Sequence, residues 1–172
     1  MLDIFFQYAE GNLFYVGRDW VFERLNSLYD NSEQTVHKDA ATVSILLIML
    51  AVGTQYTHLE SEYGPVGGTT ETSCREDEVG SYFYQHAVRL LPEIIETSSL
   101  ESVQFCLLLG LYALPIDASG LSYVYINLAC RLAMQNGMHR RYTGTALDPS
   151  AIDTRNRVWW SIHTIERLEI LL

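Results

Sequence analysis

Lysine is almost missing from this chain: Lys38 is the only one in 172 residues. Eleven basic side chains face 21 acidic ones, for a net charge of -10. A surface of that sign repels phosphate, which excludes a grip on DNA or RNA by this chain alone and disfavours an anionic membrane. Cysteine is scarce too. Cys74, Cys106 and Cys130 are odd in number, widely spaced and form no C-x-x-C pair, so neither a zinc site nor a disulfide framework is indicated. Cys106 and Cys130 lie in apolar segments, where cysteine acts as a small hydrophobe, and a reducing compartment, cytosol or nucleus, fits. The most apolar run, "SILLIMLAVG" from Ser44 to Gly53, falls short of the roughly 20 residues of a membrane span. The opening "MLDIFFQYAEG" has no basic start and so does not read as a signal peptide.

What the chain has in quantity is apolar side chains at helical spacing, and 48% hydrophobic residues are enough for a core. The spacing predicts a first helix from Leu2 to Glu10, with Leu2, Phe5, Phe6 and Ala9 on one face. A second, capped by Asp19, carries the stripe Val21, Phe22, Leu25, Leu28 and Tyr29. A third, capped by Asp39 and running to about Leu59, is apolar all round and should be surrounded by others. Residues 61–73, "SEYGPVGGTTETS", read as a surface loop. A fourth helix from Glu76 to Leu91 should face Val79, Phe83, Ala87, Leu90 and Leu91 inward, with a break at Pro92. Ser98 and Glu101 match a capping box before "SVQFCLLLGLYAL", which Pro115 stops. A sixth helix, Gly120 to Asn136, places Leu121, Val124, Tyr125, Leu128 and Leu132 at core spacing, with Gly137 as its C-terminal cap. Asp148 and Pro149 open a last helix that runs to the chain's end. No stretch alternates like a strand. The expected fold is all-α: antiparallel helix pairs packed into a single bundle with the rhythm of a short solenoid.

The templates for chemistry are missing. There is no H-E-x-x-H, no G-x-S-x-G and no P-loop, and His37, His58, His86, His139 and His163 have no neighbours at ligand spacing. No catalytic and no metal residue is assigned. "EDE" at 76–78 reads as helix-start charge, and the rings of "SYFYQH" at 81–86 as core. "GMHRRYTG", 137–144, is the densest basic spot. It is either the positive end of a helix cap or a docking point for an acidic partner or ligand. In "RNRVWWSIHTIERLEILL", Val158, Ile162, Ile165 and Leu172 form a stripe. Trp159 and Trp160 point about 100° apart, which makes three apolar faces and predicts anchors into two different neighbours. Arg167, seven residues beyond Trp160, is placed to stack on that indole.

Three segments in order, "SLESVQFCLLLGLYAL", "YINLACRLAMQNGMHRR" and "RNRVWWSIHTIERLEILL", resemble the fungal-specific transcription factor domain. This is the regulatory middle region of fungal zinc-cluster regulators. Val103 and Gln104 match the first family motif. Ala129, Arg131, Ala133, Gly137, His139 and Arg140 match the second, with Met138 in place of the usual leucine. Arg157, Trp159, Trp160 and Arg167 match the third, with Glu166 where aspartate is usual. The family's six-cysteine zinc module has no counterpart here, and the chain stops where a Gly-Arg-Pro would come. Residues 1–172 therefore read as a partial domain, cut at Leu171 and Leu172.

The resemblance implies a non-catalytic regulatory domain acting in the nucleus, through intramolecular contacts, small effectors or co-regulators. By family, zinc and DNA binding belong to the module that this chain lacks. Its partners would be proteins or the rest of its own domain, with a small-molecule effector and a dimer both open, and no membrane. The other reading is a stand-alone helical interaction module without DNA contact, and an enzyme is the least supported class.

Overall fold

The computed structural model describes residues 1–9, 11, 13–30, 40–57, 59, 70–116 and 120–169, with side chains at all of these except 29, 30, 70–77 and 169. Among the described residues there are eight helices and no strand. They are α1 (Leu2–Ile4, running on as a π-helical turn over Phe5–Ala9), α2 (Arg18–Asp30), α3 (Ala40–Gln55) and α4 (Thr70–Arg89). Then follow α5 (Leu91–Thr97), α6 (Leu100–Ala113), α7 (Leu121–Gln135) and α8 (Pro149–Glu169). The fold is all-α, as the apolar spacing predicts.

The two helices without an amphipathic face stand at the centre. α3 and α6 are apolar on every side, so only neighbours on every side can cover them. α4 packs on α3, α3 on α6, α6 on α7 and α7 on α8. The pair α6–α7 is antiparallel: Ser122 Oγ donates to Gly110 O, and Asn136 Nδ2 to Ser99 O at the opposite end. The pair is also close. A Cβ on Gly110 would stand 2.5 Å from Ile126 Cγ1, so glycine is what lets the two backbones approach. The face α7 buries is Ser122, Tyr125, Ile126, Ala129, Cys130, Leu132 and Ala133, an i, i+3/i+4 ladder in which small side chains seat the helix. The expected face was set by the largest residues and is partly wrong: Leu121 and Val124 are exposed. The same correction applies to Val79 on α4, while Ala87 is buried as expected.

Several helix ends differ from expectation. α2 starts at Arg18, with Val21 N–H donating to Gly17 O, so Asp19 sits inside the first turn and not at the cap. The π turn over Phe5–Ala9 widens the first helix, and Ile4 and Phe5 become its buried pair. α3 ends at Gln55, and Tyr56 and Leu59 close back in tight turns on Gly53 and Tyr56. α4 begins at Thr70, so residues 70–73 of the expected loop are helical and "EDE" lies within the helix. The rest of that loop, 61–69, together with Asp39, His37, His58, Leu171 and Leu172, lies outside the described residues. The break at Pro92 is present: Leu90 is a turn residue, and Pro92 falls in the first turn of α5.

The capping box exists one residue later than expected. Ser98 is the left-handed C-cap of α5 (φ 47°, ψ 40°), because two residues must reverse the chain between Thr97 and Leu100. Ser99 then caps α6 reciprocally with Ser102, whose Oγ also donates to Ile94 O at 2.7 Å. Glu101 has no part in the box. The start of α8 is as predicted, with Ala151 N–H donating to Asp148 Oδ1 at 3.1 Å.

Candidate functional site

The motif residues fall into two groups. Val103, Ala129 and Ala133 are fully buried where α6 meets α7, and their role is packing. The others are polar or more exposed: Gly137, His139, Arg140 and Trp159 gather at the corner where α7 ends and α8 crosses it, Gln104, Arg157 and Trp160 border the N-terminal segment, and Arg131 and Arg167 are exposed elsewhere on these helices.

The corner begins with a helix end. Gly137 takes φ 68°, and Met138 N–H donates to Ala133 O while Gly137 N–H donates to Met134 O. That double closure is the Schellman motif, and it needs the left-handed residue that glycine supplies. Buried Met138 follows, and His139 emerges on the outside. The Arg155 guanidinium, on the first turns of α8, donates to Asn136 O at 2.7 Å and locks α8 to the end of α7. The His139 ring lies 5.9 Å from Trp159, and Arg140 Nε donates to His139 Nε2 at 3.0 Å.

On the other side α8 holds the N-terminal segment. Phe14 N–H donates to Ser161 Oγ at 2.8 Å, and the Arg157 guanidinium sits 3.8 Å above the Phe14 ring. Gln104, 4% exposed, donates from Nε2 to Tyr15 O at 2.8 Å. Residues 13–16 thus run between α6 and α8, pinned from both sides. A buried extended segment needs partners for its backbone groups, and two side chains provide them. Ser161 and Phe14 were not among the residues singled out from the sequence. A polar residue on the otherwise apolar Val158–Ile162–Ile165 side of α8 was the one available signal.

The tryptophan expectation needs correction. Trp159 is half-buried, between His139 and the parallel ring of His163 at 6.1 Å. Trp160 is 63% exposed, with the His163 ring edge-on at 6.0 Å, so it anchors in no neighbour. Val158, Ile162 and Ile165 are enough to fill the interface, which leaves α8 with one buried face and not three. The arginine stacked on a ring in α8 is Arg157 on Phe14; among the described contacts none joins Arg167 to Trp160. Tyr82, expected in the core, is 61% exposed on α4.

Among the described residues, cavities open to the surface. One of about 530 Å³ lies beside Trp160 and is lined by Leu13, Phe14, Arg157, Ser161 and Thr164. One of about 700 Å³ collects the acidic starts of α2, α6 and α8, including Asp19, Glu101 and Asp153, with Gln104 at its floor. Another, of about 540 Å³, lies between α3, α4 and the end of α6, where Tyr84 and Tyr112 stack at 4.7 Å. None of these three contains a nucleophile paired with a base. Burial pushes the Cys106 thiol up to about 12, and burial, with Glu166 nearby, raises that of Cys130. Both thiols stay protonated at neutral pH and are poor nucleophiles. Among the described residues no three His, Cys, Asp or Glu side chains converge to hold a metal. No described helix is long and apolar enough to cross a membrane.

The scaffold is all-helical, and Gln104, Arg155 and Ser161 hold backbone groups of the chain itself. The sequence profile of the fungal specific transcription factor domain matches residues 2–170, and the chain belongs to that family. It is 29% identical over 168 residues to a transcriptional regulatory protein of Schizosaccharomyces pombe, covering 98% of this chain and 20% of that protein. It is 30% identical over 129 residues to the thiamine repressible genes regulatory protein thi1 of the same yeast, covering 75% of this chain and 16% of that protein. Activator of stress genes protein 1 of Candida albicans is 29% identical over 96 residues, covering 53% of this chain and 10% of its own. The chain thus spans a fifth or less of the length of these curated relatives. No solved structure matches it.

Proposed function

We propose that this chain is a non-catalytic regulatory domain that controls transcription in the nucleus through contacts with other segments of its own protein, with effectors or with co-regulators. DNA contact and zinc, in this reading, belong to a zinc-cluster module and not to these residues. The observation that carries the proposal is what the motif side chains do. Gln104 directs its amide at backbone and Arg157 its guanidinium at a ring, and among the described residues no acid, base and nucleophile stand together. Such a scaffold offers shape, and a small effector would find its most apolar seat among Tyr84, Tyr112 and Ile116.

The test is a reporter assay in yeast. The chain is inserted between a heterologous DNA-binding module and a strong activation segment. Reporter output that the insertion lowers or makes conditional supports a regulatory role. Output equal to that of a fusion carrying an unrelated helical domain of the same size overturns it. The reading of the chain as an independent interaction module draws support from a separate observation, the exposure of Trp160.

A further inference from the structure

We propose that the ring strip along α8 and the end of α7 is a docking surface for an acidic peptide segment of a partner protein, one with leucine or aromatic side chains among its carboxylates. The strip is continuous. Arg140 bonds His139, His139 touches Trp159, Trp159 stacks on His163, and His163 meets Trp160. Arg157 then closes the far end, sharing with Trp160 the groove of about 530 Å³. Four rings in contact, with a guanidinium at each end, form a surface with apolar faces and positive edges.

Two features of this strip are unexplained by packing. The first is exposure. Trp160 is 63% exposed although the interior faces of α8 are filled without it. Tryptophan is among the side chains that contribute most when an interface covers them, and it is poorly placed in water. The groove beside it, with Leu13 and Phe14 in its wall, has room for an apolar side chain.

The second feature is charge. Residues 131–172 carry six arginines against four carboxylates, net +2, whereas residues 1–130 carry five basic against 17 acidic side chains, net -12. Despite that surplus of acid, none of Arg140, Arg141, Arg157 and Arg167 makes an ion pair among the described residues. Glu166 lies by Cys130, and Arg157 also borders the cleft of Asp19, Glu101, Asp148 and Asp153 but pairs with none of them, so Arg140 is the end of the strip away from that acid. Unneutralised guanidiniums on an acidic molecule leave a local positive site for carboxylates.

The choice of peptide over nucleic acid follows from range. A duplex presents one charge per roughly 1.7 Å along its length, so it would also meet the acidic remainder of the molecule. A short peptide feels mainly the strip, because salt screens charges beyond about 8 Å at physiological ionic strength. The assignment deepens the regulatory reading and rests on it for the partner's biological role. Its test is binding to the purified chain, so it can fail while the reporter succeeds, and the reverse.

The probe is a fluorescently labelled peptide of alternating aspartate with leucine and phenylalanine, titrated with the 172-residue chain. Saturable binding that weakens with added salt is expected, with affinity at least about tenfold lower for Trp160→Ala and for Arg140→Glu. Both side chains are exposed, so the variants should melt like the parent, and a melting curve checks this. Tyr82→Ala, which removes an exposed ring on α4, should bind normally. The proposal is overturned by any of four results: equal affinity for an Asp→Asn peptide, indifference to Trp160→Ala, an equal loss with Tyr82→Ala, or duplex DNA that competes as well as the peptide. Self-association that Trp160→Ala abolishes, with no peptide binding, would assign the strip to a second copy of the chain and overturn it as well.

Discussion

Ser161 illustrates how much one hydroxyl can carry. Its oxygen accepts the buried N–H of Phe14 across 147 positions of sequence, and in doing so it holds the N-terminal segment on α8. Ser161→Ala leaves that donor unpaired and should cost about 1–3 kcal/mol in urea unfolding, whereas Trp160→Ala should stay within about 0.5 kcal/mol. Equal effects from the two would contradict the division between buried and exposed sides of α8. Cys106 makes a pH prediction. Burial pushes its folded pKa up to about 12, above the 9.0 of a free thiol. The folded state therefore holds its proton where the unfolded chain has released it. This stability is complete below pH 9 and is lost as pH rises toward 12, at up to about 1.4 kcal/mol per pH unit. The difference between parent and Cys106→Ala melting temperatures should narrow across that window; a difference constant with pH would refute it. Residues that act within one turn, such as Asp148 and Gly137, are legible in the sequence. Ser161 is not, because no local pattern names a partner so far away.

At the scale of elements, existence was easier to read than edges. Apolar spacing marks seven helical segments, but whether the first turn starts at Ser98 or Ser99 depends on how two helices are joined. α5 and α6 abut with two residues between them, so Ser98 must take a left-handed conformation and its neighbour inherits the cap. Ser98 Oγ is also buried without a hydrogen-bond partner. Ser98→Gly removes both burdens and should raise stability by about 1 kcal/mol, seen as a higher melting temperature. A lower one would mean that the serine makes a contact that offsets its backbone strain. The faces of α7 and α8 were legible only in part. Large residues suggested wide apolar faces, but a closely packed partner selects the small ones, as Gly110 against Ile126 does for α7. The π turn after Ile4 has no sequence signal; it packs against α3 with Phe5 buried.

At the scale of the whole molecule, charge is segregated. The net charge of -10 predicts that the purified chain gives no salt-sensitive shift of duplex DNA in a mobility assay at physiological ionic strength. A shift reversed by added salt would contradict it. The sequence by itself determined the helical class, the family and the sign of the field, because periodicity, motif order and charge are properties of the chain as a line. Only the tertiary structure decided which side of α8 is covered, what Gln104 and Ser161 hold, and that four rings and two arginines meet on one surface. Those depend on which distant segments a face meets: with Val158, Ile162 and Ile165 in the interface, Trp160, about 200° round the helix from Val158, faces water.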